Sequence, residues 1–339
     1  MIARSELTHV ALEAFSCVLP GAGRPTTELE ESIARDNPHL KLPPGFLASL
    51  AGVHSLTVAP TGVFPSTLAA DAGRRCLERR GLDGDDVDML IFASVSQDVL
   101  EPATANIVQQ QLGLRCPVMD VKNACNSFLN GMQVAAAFIK SGECQRVLVT
   151  TGETPSRILR KRFEDRDDFW ASFSGITLGD SGAAVLVEAA ESPRLKFMRF
   201  YSFGEAWANA MVPGGGIRHL NSEEHMHFFC DGERLKQSFM GVPKLVGDAL
   251  FEAGFSYGDF AQIFLHQVSS RYSQDIIRAF GMPADRVFMT LSDFGNLVSA
   301  SIPVGVSTAC ERGIVNRGDL VLAIGMASGI SVGLVVFTI

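Results

Sequence analysis

Paired cysteines, an excess of positive charge and an apolar leader are all missing from this 339-residue chain. The seven cysteines, at positions 17, 76, 116, 125, 144, 230 and 310, are odd in number, scattered and free of any CxxC pair. That pattern argues against a disulfide framework or a zinc site and for a reducing cytoplasm. A formal net charge of −8 removes nucleic acid as a main ligand, because phosphate binding needs a basic face. Met1 to His9 has no apolar stretch after its charge, so no secretory signal is expected. The remaining 47% apolar and 19% charged composition is that of a globular protein, long enough for two packed halves that bind small molecules or other proteins.

Leu320 to Ile339 is uncharged, with Gly325, Gly329 and Gly333 at the spacing of a membrane-helix contact face. Val321, Ile324, Ile330, Val332, Val335 and Val336 are β-branched, and no basic flank follows. Two buried strands joined at Ala327-Ser-Gly329 are expected, and no membrane span.

Strand and helix patterns alternate along the chain, and the second half repeats the first. Gly81-Leu-Asp-Gly-Asp-Asp86 before the strand pattern Met89 to Ala93 answers Gly254-Phe-Ser-Tyr-Gly-Asp259 before Gln262 to His266. Gly142-Glu143 before Arg146 to Thr151 answers Gly318-Asp319 before Leu320 to Gly325. Two duplicated α/β halves, 1–190 and 191–339, with mostly parallel sheets covered on both faces, follow from this repeat.

Three stretches put polar residues where apolar runs end, which is where α/β proteins place their sites. Cys125 stands between the strand pattern Val118 to Val121 and a buried helix pattern from Ser127. A helix N-terminus offers unpaired N–H groups and a positive dipole end, so a thiol there is expected to be pushed towards thiolate. An inert buried cysteine fits the same spot. His266 follows a strand pattern, and Gly295-Asn296 forms a turn running into a helix of small residues. Each alone reads equally well as structural.

Together they resemble the β-ketoacyl-acyl-carrier-protein synthase III group of the thiolase superfamily, over about Gly52 to Ile339. The motifs are Asn123-Ala-Cys125, Gly152-Glu153, Leu178-Gly-Asp-Ser-Gly182, His266-Gln267, Gly295-Asn296 with Ser299-Ala-Ser-Ile-Pro303, and the Gly-rich final hairpin. The resemblance implies a thiolase-like fold, two duplicated α/β halves packed as a layered αβαβα core, and a cytoplasmic homodimer with no cofactor and no metal. It further implies that Cys125 carries the acyl group, that the backbone N–H groups of Cys125 and Ser328 form the oxyanion hole, and that His266 and Asn296 hold the second thioester. An acyl thioester on Cys125 and a malonyl-type thioester would then give a 3-oxoacyl product, with coenzyme A or an acyl carrier protein as the thiol.

The chain departs from the family in places. Phe46 and Leu50-Ala-Gly-Val53 stand where synthase III enzymes carry a Trp and an Arg-Thr-Gly-Ile run around the coenzyme A adenine. Arg271 matches a basic position at the pantetheine tunnel mouth, and Ser269 replaces a common Asn there. Glu101, before Pro102, occupies a turn that in such dimers reaches the partner's acyl pocket. The chain is also similar to the head-to-head condensing thiolases of olefin biosynthesis, in which a Glu from the partner subunit removes an α-proton. As an alternative, Glu101 caps the helix expected from Ala103. Acyl transfer to a hydroxyl or amine is a further alternative. His219, His225 and His227 match no standard metal spacing, and Pro213-Gly-Gly-Gly216 reads as a loop rather than a phosphate cradle.

Overall fold

The computed structural model describes residues 9–21 and 23–339, so the leader expectation for residues 1–8 lies outside it. Beside two short two-stranded sheets, its strands form two five-stranded sheets built on one plan. In the first, Met89–Ala93 lies parallel between Val118–Val121 and Arg146–Glu153, and Ser181–Ala190 and His9–Val18 follow antiparallel. In the second, Gln262–Leu265 lies parallel between Val287–Phe288 and Leu320–Ala327, and Ser331–Thr338 and Leu195–Ser202 follow antiparallel. The strands matched by the sequence repeat hold the same positions in the two sheets.

Side chains alternate across these strands, and each face meets helices. Ile91, Ala93, Val147, Val149, Val185 and Val187 face inward, with Ala323, Val335 and Phe337 of the other sheet. Between the sheets run the helices Ser127–Ser141 and Ser301–Glu311, which give Phe128, Leu129, Met132, Ile302 and Val306 to the same core. Leu90, Phe92, Leu148 and Leu186 face outward against the helices Pro65–Arg80 and Thr104–Leu112. Ile263, Leu265, Leu322, Leu334 and Val336 do the same against Val242–Glu252 and Ser270–Phe280. Five layers result, α, β, α, β, α.

The C-terminal run forms the antiparallel strands Leu320–Ala327 and Ser331–Thr338. Among the described residues no helix is long and apolar enough to cross a membrane. Its glycine spacing has a packing cause. Gly325 and Gly333 are paired across the two strands. A Cβ at Gly325 would lie 1.8 Å from Asn126 Oδ1 and 2.8 Å from Leu129 Cδ1, and one at Gly333 2.7 Å from the Phe200 ring. The bare pair lets the start of the Cys125 helix approach the second sheet.

Candidate active site

Five residues turn the chain from the strand Val118–Val121 into the helix Ser127–Ser141, and their hydrogen bonds fix Cys125. The Ser127 hydroxyl accepts from the Asn123 N–H at 2.9 Å and donates to the Ala124 carbonyl at 2.7 Å. Ala124 is held at φ +47°, a conformation uncommon for a residue with a Cβ. Asn126, fully buried, donates through Nδ2 to Ser331 Oγ at 2.9 Å and so ties the turn to the final hairpin.

Cys125 is half-buried, and its thiol is pushed up to about 12, first by burial and next by the Glu153 carboxylate. Its own backbone N–H lowers it only in part. The expected thiolate is therefore corrected: removing a charge from water outweighs the pull of the helix end.

His266 follows the strand Gln262–Leu265 and is 4% exposed. Burial lowers its imidazole to about 4, opposed by a hydrogen bond to the Val298 backbone, so the ring is neutral at pH 7. Its Nδ1 is buried without a partner among the described residues. Asn296 is gripped from two sides. Its N–H donates to the Thr177 carbonyl and its own carbonyl accepts from the Gly179 N–H, both at 2.9 Å. Its Oδ1 accepts from the Val298 N–H at 2.9 Å, which leaves the NH2 end of the amide as the free, donating end. One residue, Val298, thus orients both His266 and Asn296.

The flanking motif residues are scaffold. Gln267 Oε1 accepts from the N–H groups of Thr290 and Leu291, and its Nε2 donates to the Phe288 carbonyl. Asp180 accepts from the Ala59 N–H and from the N–H and hydroxyl of Ser156. Ser269 is the N-cap of the helix Ser270–Phe280, its hydroxyl accepting from the Tyr272 N–H at 3.2 Å. Arg271 is exposed on the first turn of that helix. Ser328 lies in the final hairpin turn, partly buried. Phe46 is wholly buried, packed edge-on to Phe169, while Leu50 is exposed.

Glu101 is exposed in the loop after Met89–Ala93, beside the exposed Val99 and Leu100. The helix starts at Thr104, and Asp120 takes the capping role, accepting from the N–H groups of Thr104 at 2.9 Å and Ala105 at 2.8 Å. The capping alternative for Glu101 is thereby overturned. His219 and His225 stack at 3.9 Å, Ser222 Oγ lies 2.6 Å from His225 Nδ1, and His227 faces the Arg160 guanidinium. No group of three metal-ligating side chains occurs among the described residues.

Glu153 has a larger part at the site than its place in the Gly152-Glu153 motif suggested. It is wholly buried at the end of the strand Arg146–Glu153 and acts on both Cys125 and the segment after Asn296. A carboxylate closing a strand that carries the apolar run Val147-Leu-Val149 was the available signal.

Residues 119–204 match the family model described as 3-oxoacyl-[acyl-carrier-protein] synthase III, and residues 250–339 match its C-terminal model. The β-ketoacyl-[acyl-carrier-protein] synthase III of Neisseria meningitidis is 31% identical over 293 residues, 86% of this chain and 89% of that relative. That of Fusobacterium nucleatum is 30% identical over 277 residues, 79% and 82% of the two chains. Among solved structures, Xanthomonas campestris OleA with lauric acid and lauroyl-CoA bound superposes with a TM-score of 0.88 at 25% identity, covering 98% of this chain and 100% of that one. Solved OleA variants substitute a Glu, a Cys and a His that follow one another in the order, and at nearly the spacing, of Glu101, Cys125 and His266.

Proposed function

The chain belongs to the β-ketoacyl-[acyl-carrier-protein] synthase III family of condensing acyltransferases, and we propose that it joins an acyl group on Cys125 to a malonyl-type thioester. In the first half-reaction Cys125 Sγ attacks the acyl thioester carbonyl, the backbone N–H groups of Cys125 and Ser328 hold the oxyanion, and the thiol carrier leaves. Because the resting thiol is protonated, its proton must depart as the S–C bond forms, and it ends on the sulfur of the departing carrier thiol.

In the second half-reaction His266 and Asn296 donate to the thioester carbonyl of the malonyl unit. Loss of CO2 leaves an enolate there, whose carbon attacks the acyl carbonyl and releases Cys125 with a 3-oxoacyl thioester. The observation that carries this reading is the shared hold of Val298 on both donors: the amide of Asn296 is fixed with its NH2 end free, and the imidazole beside it is uncharged. Preorganised donors of this kind contribute roughly 3 kcal/mol each in other enzymes. Incubation with acyl-CoA and a malonyl thioester should yield a 3-oxoacyl product and CO2. An acylated enzyme that never extends the chain would instead favour transfer to a hydroxyl or amine.

A second reading is supported by Glu101, whose carboxylate makes no hydrogen bond or ion pair among the described residues while Asp120 serves the adjacent helix end. Across a homodimer it would act as the base that removes an α-proton, giving head-to-head condensation of two acyl-CoAs. The wild type would then condense two simple acyl thioesters without malonyl donor, and Glu101→Ala would lose that reaction while still acylating Cys125. A fully active Glu101→Ala sinks this reading.

A further inference from the structure

Among the described residues Glu153 is buried with no cation beside it, and its side chain bonds to two segments that flank the site. Its Oε1 accepts from the Val95 N–H at 2.8 Å, and its Oε2 accepts from the N–H of Ser96 at 3.0 Å and its hydroxyl at 2.7 Å. Val95 and Ser96 begin the loop that ends in Glu101. On the other side the Ser299 hydroxyl donates to Glu153 Oε1 at 2.5 Å. With that proton committed, the Thr151 hydroxyl, 2.8 Å away, is the donor to Ser299.

Ser299 follows a strained residue. Val298 lies at φ +53°, which for a β-branched side chain is an outlier that persists only where the surroundings over-determine it. Its N–H fixes Asn296 and its backbone bonds His266. Ser301 donates to the Val298 carbonyl at 3.0 Å from the C-terminal side. Glu153 and Thr151, both buried in the first sheet, hold it through Ser299 from the other.

We infer that Glu153 is a positioning residue for condensation: through Ser299 it locks Val298 in the conformation that aims Asn296 and His266. The inference rests on the proposed condensation. It assigns the first sheet a part in aligning donors that belong to the second half.

Glu153→Gln puts an NH2 against groups that already donate, and Ser299→Ala cuts the link without altering charge. Three readouts separate the roles: acylation of Cys125 by intact mass, the rate of condensation, and iodoacetamide alkylation of Cys125 at pH 8. Both variants should acylate fully and condense slower by a factor on the order of 100, the size of effect that a small misalignment has on chemistry. Glu153→Gln alone should alkylate faster, by roughly threefold or more, because the negative charge near the thiol is gone. Condensation at the wild-type rate in either variant overturns the inference. So does loss of acylation in step with condensation in both, which would mark a general scaffold. A wild type that condenses no pair of thioesters would refute the proposed function, while the alkylation arm would still report on Glu153.

Discussion

Burial drives Cys125 and His266 in opposite directions and leaves both uncharged at neutral pH. The sequence showed a cysteine ahead of a helix, and the dipole argument made it a thiolate; it could not show that the turn would be sealed by the second sheet and by Glu153. Alkylation of the free enzyme by iodoacetamide should accordingly still be accelerating above pH 9, and a plateau near pH 7 would restore the thiolate. For His266, the unfolded chain takes up a proton below about 6.5, whereas the folded chain resists it down to about 4. Stability should therefore fall as the pH drops between those values, by on the order of 3 kcal/mol over the whole span. His266→Gln removes this contribution. Urea unfolding at pH 7 and pH 5 should show the wild type losing about 2 kcal/mol more than the variant. Equal losses in the two proteins would mean that the imidazole is not held neutral.

At the scale of single elements, local sequence located the strands and helices but not the partners that finish them. Glu101-Pro102 has the composition of a helix start, yet the N–H groups of Thr104 and Ala105 go to Asp120, which arrives from the adjacent strand. A cap supplied by a later element leaves no local signature. Asp120→Ala should cost about 1 kcal/mol of stability, the usual effect of losing a helix cap, and Glu101→Gln should change it by less than about 0.5 kcal/mol. The reverse ranking in chemical denaturation would return Glu101 to a structural role. The glycines of the final hairpin were legible as a spacing and as an argument against a membrane helix. The clearance that Gly325 gives Asn126 and Leu129, and Gly333 gives Phe200, required the fold.

For the whole molecule, the internal repeat in the sequence reappears as two sheets with the same strand order and directions. Within that plan Cys125 and Asn296 hold equivalent places, each between the edge strand of its sheet and one of the two central helices, and each beside a residue of positive φ, Ala124 or Val298. In the proposed reaction the duplication would thus supply the nucleophile from one half and a carbonyl donor from the other. The loop tip at Val99 and Leu100, the latter 72% exposed, has apolar area that a second copy would cover. For the proposed homodimer, Leu100→Asp should shift the protein towards monomer in sedimentation velocity, and an unchanged dimer would place the interface elsewhere. The division of labour between the two halves is tested most directly by intact-mass measurement of wild type, Cys125→Ala and Asn296→Ala after acyl-CoA and again after a malonyl thioester. The account predicts no adduct on Cys125→Ala, a stable adduct on Asn296→Ala that survives the second thioester, and an adduct on the wild type that the second thioester discharges as 3-oxoacyl product. Discharge by Asn296→Ala at the wild-type rate would contradict it.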